Sequence, residues 1–307
     1  VTRDKPRNLV ASVRQRLMNV ARKNGEDFQL VLTRYGTERI LYRISQSAHA
    51  GTFVLKGAVL FQLWSGQPHR PTRDLDLLGH GEPSTERFEQ IFREICNLTI
   101  EEDGLTFDGD RIRAEQIKED DEYQGIRLRL EARLGNARIP LQIDVGFGDA
   151  ITPSAVEIEY PTLLDFPAPS IHAYPRETVV AEKYQAMVML GMANSRMKDF
   201  FDLWILARQF EFDGPTICAA IGATFERRQT ALPERSPLAL TPEFSEDRGK
   251  QTQWRAFLRK GRLVTQQIEL ADVVPLLEAF LMPPTSAIVT RNDFAKRWTP
   301  GGPWADA

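Results

Sequence analysis

Asp74 and Asp76, in the run Pro71-Thr72-Arg73-Asp74-Leu75-Asp76-Leu77-Leu78, are the residues whose type and spacing point most directly to chemistry. Alternate side chains of a strand share a face, so the two carboxylates point one way and Leu75 and Leu77 the other. Two adjacent acids repel, and a hard divalent cation relieves the repulsion. Mg²⁺ is bound through one or two carboxylates together with waters and substrate phosphate oxygens. An isolated D-x-D also arises as a solvated pair at the end of an edge strand, so the context decides between the two readings. Upstream, Thr52 to Trp64 reads as an apolar helix with Gly57 near its start, where backbone N–H groups can meet an anion. Downstream, Arg138 to Phe147 alternates with its apolar residues at odd positions, which sets Asp144 on the non-core face. A third acid on a neighbouring strand is what two-metal phosphoryl chemistry requires.

This order of parts, a small-residue turn, D-x-D on a strand and a lone Asp on a later strand, resembles the nucleotidyltransferase superfamily of DNA polymerase β. More narrowly, Phe53-Val54-Leu55-Lys56-Gly57-Ala58, Arg70-Pro71-Thr72-Arg73-Asp74-Leu75-Asp76-Leu77, Ala181-Glu182-Lys183 and Arg196-Met197-Lys198-Asp199-Phe200-Phe201-Asp202-Leu203 are similar to the AbiEii/AbiGii toxin family. The resemblance covers most of residues 8 to 285. It departs at Gly57-Ala58, where many superfamily members carry Gly-Ser or Gly-Gly, so a hydroxyl is missing and only backbone contacts remain there.

The resemblance implies an Mg²⁺-dependent enzyme, with Mn²⁺ able to substitute, that moves a nucleoside monophosphate from an NTP to an acceptor hydroxyl. The implied setting is a bacterial toxin that modifies tRNA 3′ ends and is restrained by a cognate antitoxin. On this reading Asp74 and Asp76 hold both ions and Asp144 holds the ion that activates the attacking hydroxyl. Gly57 lets the backbone approach the β- and γ-phosphates, and Lys56 and Lys183 offset charge on the leaving pyrophosphate. Thr72 either touches a phosphate, orients Asp74 or is an ordinary strand threonine. A protein or small-molecule acceptor, or a non-catalytic NTP-binding module, is the alternative.

The elements that must position these residues give an α+β architecture. Residues 1 to 150 form a nucleotidyltransferase domain that starts with helices and continues into a mixed sheet, and residues 151 to 174 form a proline-rich connector. Residues 175 to 285 form a helical domain, followed by a tail from 286 to 307 that is expected to be poorly ordered from Pro283 onward. In the N-terminal segment Leu9, Val10, Val13, Leu17, Val20 and Ala21 recur at helical steps, Asn24-Gly25 breaks the chain, and Glu38 to Ser47 is helical again. Ser84 caps a helix striped by Phe88, Ile91, Phe92 and Ile95. Asp108-Gly109-Asp110 signals a tight hairpin, and the strand from Ile126 to Leu134 turns at Gly135-Asn136 into the Asp144 strand. Arg127 and Arg129 then share the polar face with Asp144, where they bind phosphate, stay solvated or pair with Glu131.

Pro175 opens a helix whose buried stripe, Val179, Val180, Ala186, Met187 and Leu190, includes Lys183. A lysine there either snorkels to solvent or meets an anion. The resemblance assigns it to the nucleotide triphosphate, with Asp202 a site residue and Asp199 beside it. The helical domain is then expected to close the site, with the nucleotide between the two domains. Gln229 to Lys250 reads as a surface connection, and Gln251 to Lys260 and Pro275 to Met282 as helices.

Composition sets outer bounds. With 42% hydrophobic and 26% charged residues among 307, the chain can bury a sizeable core. Cys96 and Cys218 are far apart with no histidine at metal-ligand spacing, so both are expected to be buried thiols in a reducing compartment. No uncharged apolar run looks long enough for a membrane span, and the cytoplasm is the expected location, with no membrane partner. The net charge of −3 argues against nonspecific nucleic-acid coating. It conceals an asymmetry, because residues 1 to 45 carry ten Lys/Arg against four acids and residues 101 to 122 carry ten acids against three Lys/Arg. The first segment is either a basic wall for RNA phosphates or a set of solvated helix faces.

Overall fold

The structure is a computed structural model that describes residues 8–66, 69–120, 123–263 and 268–306. Chain contacts divide it into two units, Val1–Gly148 with Val156–Ala173, and Asp149–Ala155 with Tyr174–Ala307.

In the first unit, α1 (Leu9–Asn24) and α2 (Phe28–Gln46) are separated by Gly25, whose φ of 65° closes α1 in the left-handed conformation. Asn8 and Asp27 cap their first turns with side-chain oxygens, which settles both starts. Next come β1 (Phe53–Lys56), α3 (Leu60–Ser65), β2 (Asp74–Gly79) and α4 (Thr85–Cys96), the last capped by Ser84. Strands β3 (Thr106–Phe107), β4 (Arg113–Asp120), β5 (Tyr123–Leu134), β6 (Ala137–Phe147), β7 (Val156–Glu159) and β8 (Ser170–Ala173) complete the unit. Among the described residues these strands form one mixed sheet of eight in the order β3-β5-β6-β2-β1-β8-β7, with β4 also paired to β5.

One face of the sheet is apolar. Phe53, Leu55, Leu75, Leu77, Ile126, Leu128, Ile139, Leu141, Ile143 and Val145 are all buried there. Helix α2 comes so close that a side chain at Gly36 would meet Ile139 and Leu141 at 3.1 and 3.2 Å. Helix α4 packs Phe88 and Phe92 edge-on to Phe53. The other face carries the polar residues of β2, β5 and β6.

Several sequence expectations are corrected here. Phe53 to Lys56 is a central strand rather than the start of a helix, and the helix begins only at Leu60. A short apolar run buried on both faces has no period to distinguish it from a helix. Asp108-Gly109-Asp110 does not make a hairpin, because β3 and β4 both pair with the same edge of β5. The segment read as a connector contains β7 and β8, with β8 parallel to β1. Arg39 and Arg43 do not belong to any basic wall. They are buried on α2, where Arg39 Nε and Arg43 Nη1 donate to Asp103 at 2.9 and 2.8 Å. Arg34 pairs with Glu26 and Arg16 with Asp165, which leaves Arg14, Arg22 and Lys23 exposed on α1. Arg3, Lys5 and Arg7 lie outside the described residues.

The second unit contains α5 (Arg176–Leu190), α6 (Met197–Gln209), β9 (Phe212–Asp213), α7 (Gly214–Arg227), α8 (Pro242–Ser245), α9 (Arg248–Lys260), α10 (Leu270–Thr290), β10 (Lys296–Trp298) and β11 (Trp304–Asp306). The stretch from Gln229 to Lys250 is partly core, since Ala239, Leu240 and Phe244 are fully buried. The tail carries secondary structure. Helix α10 runs through Pro283 and Pro284 to Thr290, and β10 pairs with both β9 and β11. Two indoles hold it down, Trp298 donating to the Ala207 carbonyl at 2.7 Å and Trp304 to that of Phe280 at 2.9 Å. With a mean hydropathy of 1.5, α10 is long and apolar enough to cross a membrane by length and composition, although it carries Asp272 and Glu278 and so is not an uncharged run. Its buried side chains, among them Val273, Leu277, Phe280 and Leu281, make it the core helix of this unit. Cys96 is buried as expected, and Cys218 only half-buried.

Candidate functional site

The polar face of the first unit is organised by strand register. Leu134 stands opposite Ala137 across the Gly135-Asn136 turn, and counting back along both strands brings Arg127 opposite Asp144. Strand β6 runs parallel to β2 with Asp144 beside Asp76 and Gln142 beside Asp74. Strand β1 runs antiparallel to β2 with Lys56 beside Asp76. Arg127, Asp144, Asp76 and Lys56 therefore form a row across four neighbouring strands, two acids in the middle and a cation at each end. Like charges side by side on a sheet are destabilising, and the flanking cations offset that cost. Asp144 and Lys56 are buried, Asp76 is half-buried and Asp74 is exposed at the start of β2.

Gly57 follows Lys56 with φ at 79°, a conformation that L side chains rarely adopt. A Cβ at this position would lie 2.0 Å from Asp76 Oδ2. Glycine is required here by the backbone and by the carboxylate alike, which brings the strand-to-helix turn directly against the acid. Ala58, next in the turn, is buried. Thr72 precedes β2 and its hydroxyl donates to the backbone carbonyl of Asp74 at 3.4 Å, not to the carboxylate.

Asp144 has one tight partner and one looser one. Arg127 donates from Nε to Oδ1 and from Nη2 to Oδ2, both at 2.8 Å, and Gln142 adds a contact to Oδ2 at 3.3 Å. The hydrogen bond to Asp144 is the main influence holding the Arg127 guanidinium above its ordinary range, against partial desolvation, with the charges of Asp74 and Glu115 adding to it. From sequence alone Arg127 is open to phosphate, to solvent or to Glu131. Glu131 instead pairs with Arg133 and lies near Arg138, while Arg129 pairs with Glu115. The turn at Gly135-Asn136 was the signal that could have identified the Arg127–Asp144 pair.

Among the described residues, no three His, Cys, Asp or Glu side chains stand close enough to hold a metal ion together. Asp144 stands in register with Asp76 but has its carboxylate paired with Arg127, so the expected trio of Asp74, Asp76 and Asp144 is not gathered as a ligand cluster. The donor chemistry nevertheless fits a hard divalent cation: carboxylates on adjacent strands of one face, and a glycine turn kept clear beside Asp76.

In the second unit, Lys183 on α5 meets an anion rather than solvent. Its Nζ lies 2.5 Å from Asp199 Oδ1 and 2.9 Å from Asp202 Oδ2, both on α6. Asp199 and Asp202 are one turn apart and share a face. The Asp202 side chain is fully buried, that of Asp199 is 7% exposed and that of Lys183 is 14% exposed.

The family model for the nucleotidyl transferase AbiEii toxin of type IV toxin–antitoxin systems matches residues 39–280. No curated protein matches the chain significantly. Among solved structures, a Helicobacter pylori chain described as a candidate nucleotidyltransferase is 16% identical with a TM-score of 0.47, over 83% of this chain and 95% of that one. JHP933 from Helicobacter pylori is 15% identical with a TM-score of 0.47, over 82% of this chain and 90% of that one.

Proposed function

The chain belongs to the AbiEii nucleotidyl transferase toxin family, and from that premise we propose that it transfers a nucleoside monophosphate from an NTP to the 3′ hydroxyl of an RNA, with tRNA as the acceptor. Nucleotidyl transfer in a toxin–antitoxin setting follows from the family. The observation that carries the site assignment is the row in which Asp144 and Asp76 are strand neighbours, with Asp74 two residues away on the same face. Asp74, Asp76 and Asp144 would hold Mg²⁺, which when bound acidifies the acceptor hydroxyl and neutralises phosphate charge.

The protein's own groups supply the rest. The turn at Gly57-Ala58 offers backbone to the phosphates, and Lys56, beside Asp76, balances charge on that face. Thr72 braces the start of β2 through its bond to the Asp74 carbonyl. In the second unit the reading gives Lys183 to the nucleotide's phosphates, with Asp199 and Asp202 as its partners until nucleotide arrives. A bacterial cytoplasm and a cognate antitoxin complete the proposed setting.

The test is incubation with each labelled NTP, Mg²⁺ and either total RNA or total protein. Label in a tRNA-sized band at its 3′ end supports the proposal. Label in the protein fraction, or none with any nucleotide, overturns the RNA acceptor.

A further inference from the structure

We propose that Arg127 is a built-in counter-ion for Asp144 that gives way to the divalent cation, so that loading the metal and releasing the guanidinium are one event. The inference rests on the reading that Asp74, Asp76 and Asp144 hold the metal. Both oxygens of Asp144 are taken by the two parallel bonds from Arg127, a bidentate geometry among the stronger charge-assisted contacts. Each Asp144 oxygen keeps a second lone pair, but a cation placed on it would stand close to a guanidinium 2.8 Å from the same oxygen, and the repulsion between the two positive charges favours release of one of them.

The structure indicates which group moves. The Asp144 side chain is 11% exposed and sits in the middle of the sheet, whereas that of Arg127 is 30% exposed. Arg127 can therefore swing into solvent and gain hydration, while Asp144 stays in register beside Asp76. It also has somewhere to go. Glu115 on β4 is the register partner of Arg127 across the β4–β5 pair, and its carboxylate, 47% exposed, is now held by Arg129 at 2.7 Å. After exchange, Glu115 can take both guanidinium groups at the rim of the site.

The exchange has a thermodynamic consequence. In the free protein the pair stabilises Asp144 as a carboxylate held by Arg127 and lowers the metal affinity that the three acids would otherwise have. Metal binding then competes with an internal cation, and the free enzyme is kept from loading at low divalent-ion concentration.

The experiment measures Mn²⁺ binding to the nucleotide-free protein by the electron paramagnetic resonance of unbound Mn²⁺. Four proteins are compared: wild type, Arg127→Gln, Asp76→Asn and the double variant. Arg127→Gln keeps the apolar stem and deletes the charge, and it should tighten Mn²⁺ binding at least about tenfold, while Asp76→Asn should abolish binding in both backgrounds. Unchanged or weaker affinity in Arg127→Gln, with binding still lost in Asp76→Asn, overturns the exchange and leaves the metal site standing. Binding retained in Asp76→Asn overturns the metal site itself, and the exchange with it. Should Arg127→Gln fail to fold, Arg127→Lys keeps a cation but cannot make two parallel bonds, and it should tighten Mn²⁺ binding about threefold. No tightening in that variant counts against the exchange.

Discussion

At the scale of single residues, Asp76 is the most constrained position. It stands between Asp144 and Lys56 in the row and lies against the Gly57 turn. Asp76→Asn should abolish nucleotidyl transfer while leaving the thermal midpoint unchanged or higher, because it removes one of two adjacent negative charges. Retained transfer in that variant would sink the metal assignment. Gly57→Ala tests the same contact from the backbone side. Its Cβ would sit 2.0 Å from Asp76 Oδ2 and its φ of 79° would be strained, so the carboxylate must move and the protein should lose roughly 1–2 kcal/mol. Transfer should fall at least about tenfold. Full activity with an unshifted melting curve would mean that the turn can rearrange and does not position Asp76.

At the scale of elements, the brace from α5 to α6 changes what a Lys183 substitution is expected to do. Lys183→Met would suit a lysine that only awaits nucleotide, but here it takes the Lys183 ammonium away from Asp199 and fully buried Asp202. Breaking a buried pair from one side typically costs about 3–5 kcal/mol, so the variant should be markedly less stable. Adding Asp199→Asn and Asp202→Asn removes the two carboxylate charges that faced Lys183 and should restore most of the thermal midpoint. If Lys183 also meets the nucleotide, this triple variant will be folded and still at least about tenfold slower, roughly 1.4 kcal/mol in transition-state terms. A Lys183→Met protein of wild-type stability would show that the contact with α6 is solvent-screened.

At the scale of the whole molecule, charge placement governs both pH response and acceptor binding. Glu38, buried on α2, has its pKa raised by desolvation from an ordinary 4.5 to about 7, partly offset by its bond from Leu163 N and by Arg39. Between those values the folded protein holds a proton that the unfolded chain has released, so the Glu38 contribution makes stability fall as pH rises. The full penalty, on the order of 3 kcal/mol, is present above about pH 7. Glu38→Gln should therefore gain on wild type between pH 5 and pH 8 in urea denaturation, and a gap independent of pH would contradict the burial argument. The exposed cations Arg14, Arg22 and Lys23 on α1 remain as candidates for RNA phosphates. Replacing all three by Gln should flatten the salt dependence of acceptor binding, and an unchanged slope would make that helix a plain surface.

What the sequence by itself determined is periodic or locally coded. It determined the α+β class, the helical period that begins at Leu9, the Ser84-capped helix beginning at Thr85, the β5–β6 hairpin, and the alternation that put Asp74, Asp76 and Asp144 on one polar face. Such features depend on neighbours a few residues apart. Only the tertiary structure decided that Phe53 to Lys56 is a strand, that Arg39 and Arg43 turn inward to Asp103, and that the tail is anchored by Trp298 and Trp304. It also decided that Asp144 faces Arg127. In each of these cases the partner is far away in sequence or on another strand, and an arginine or tryptophan has no local pattern that says which distant group will satisfy it.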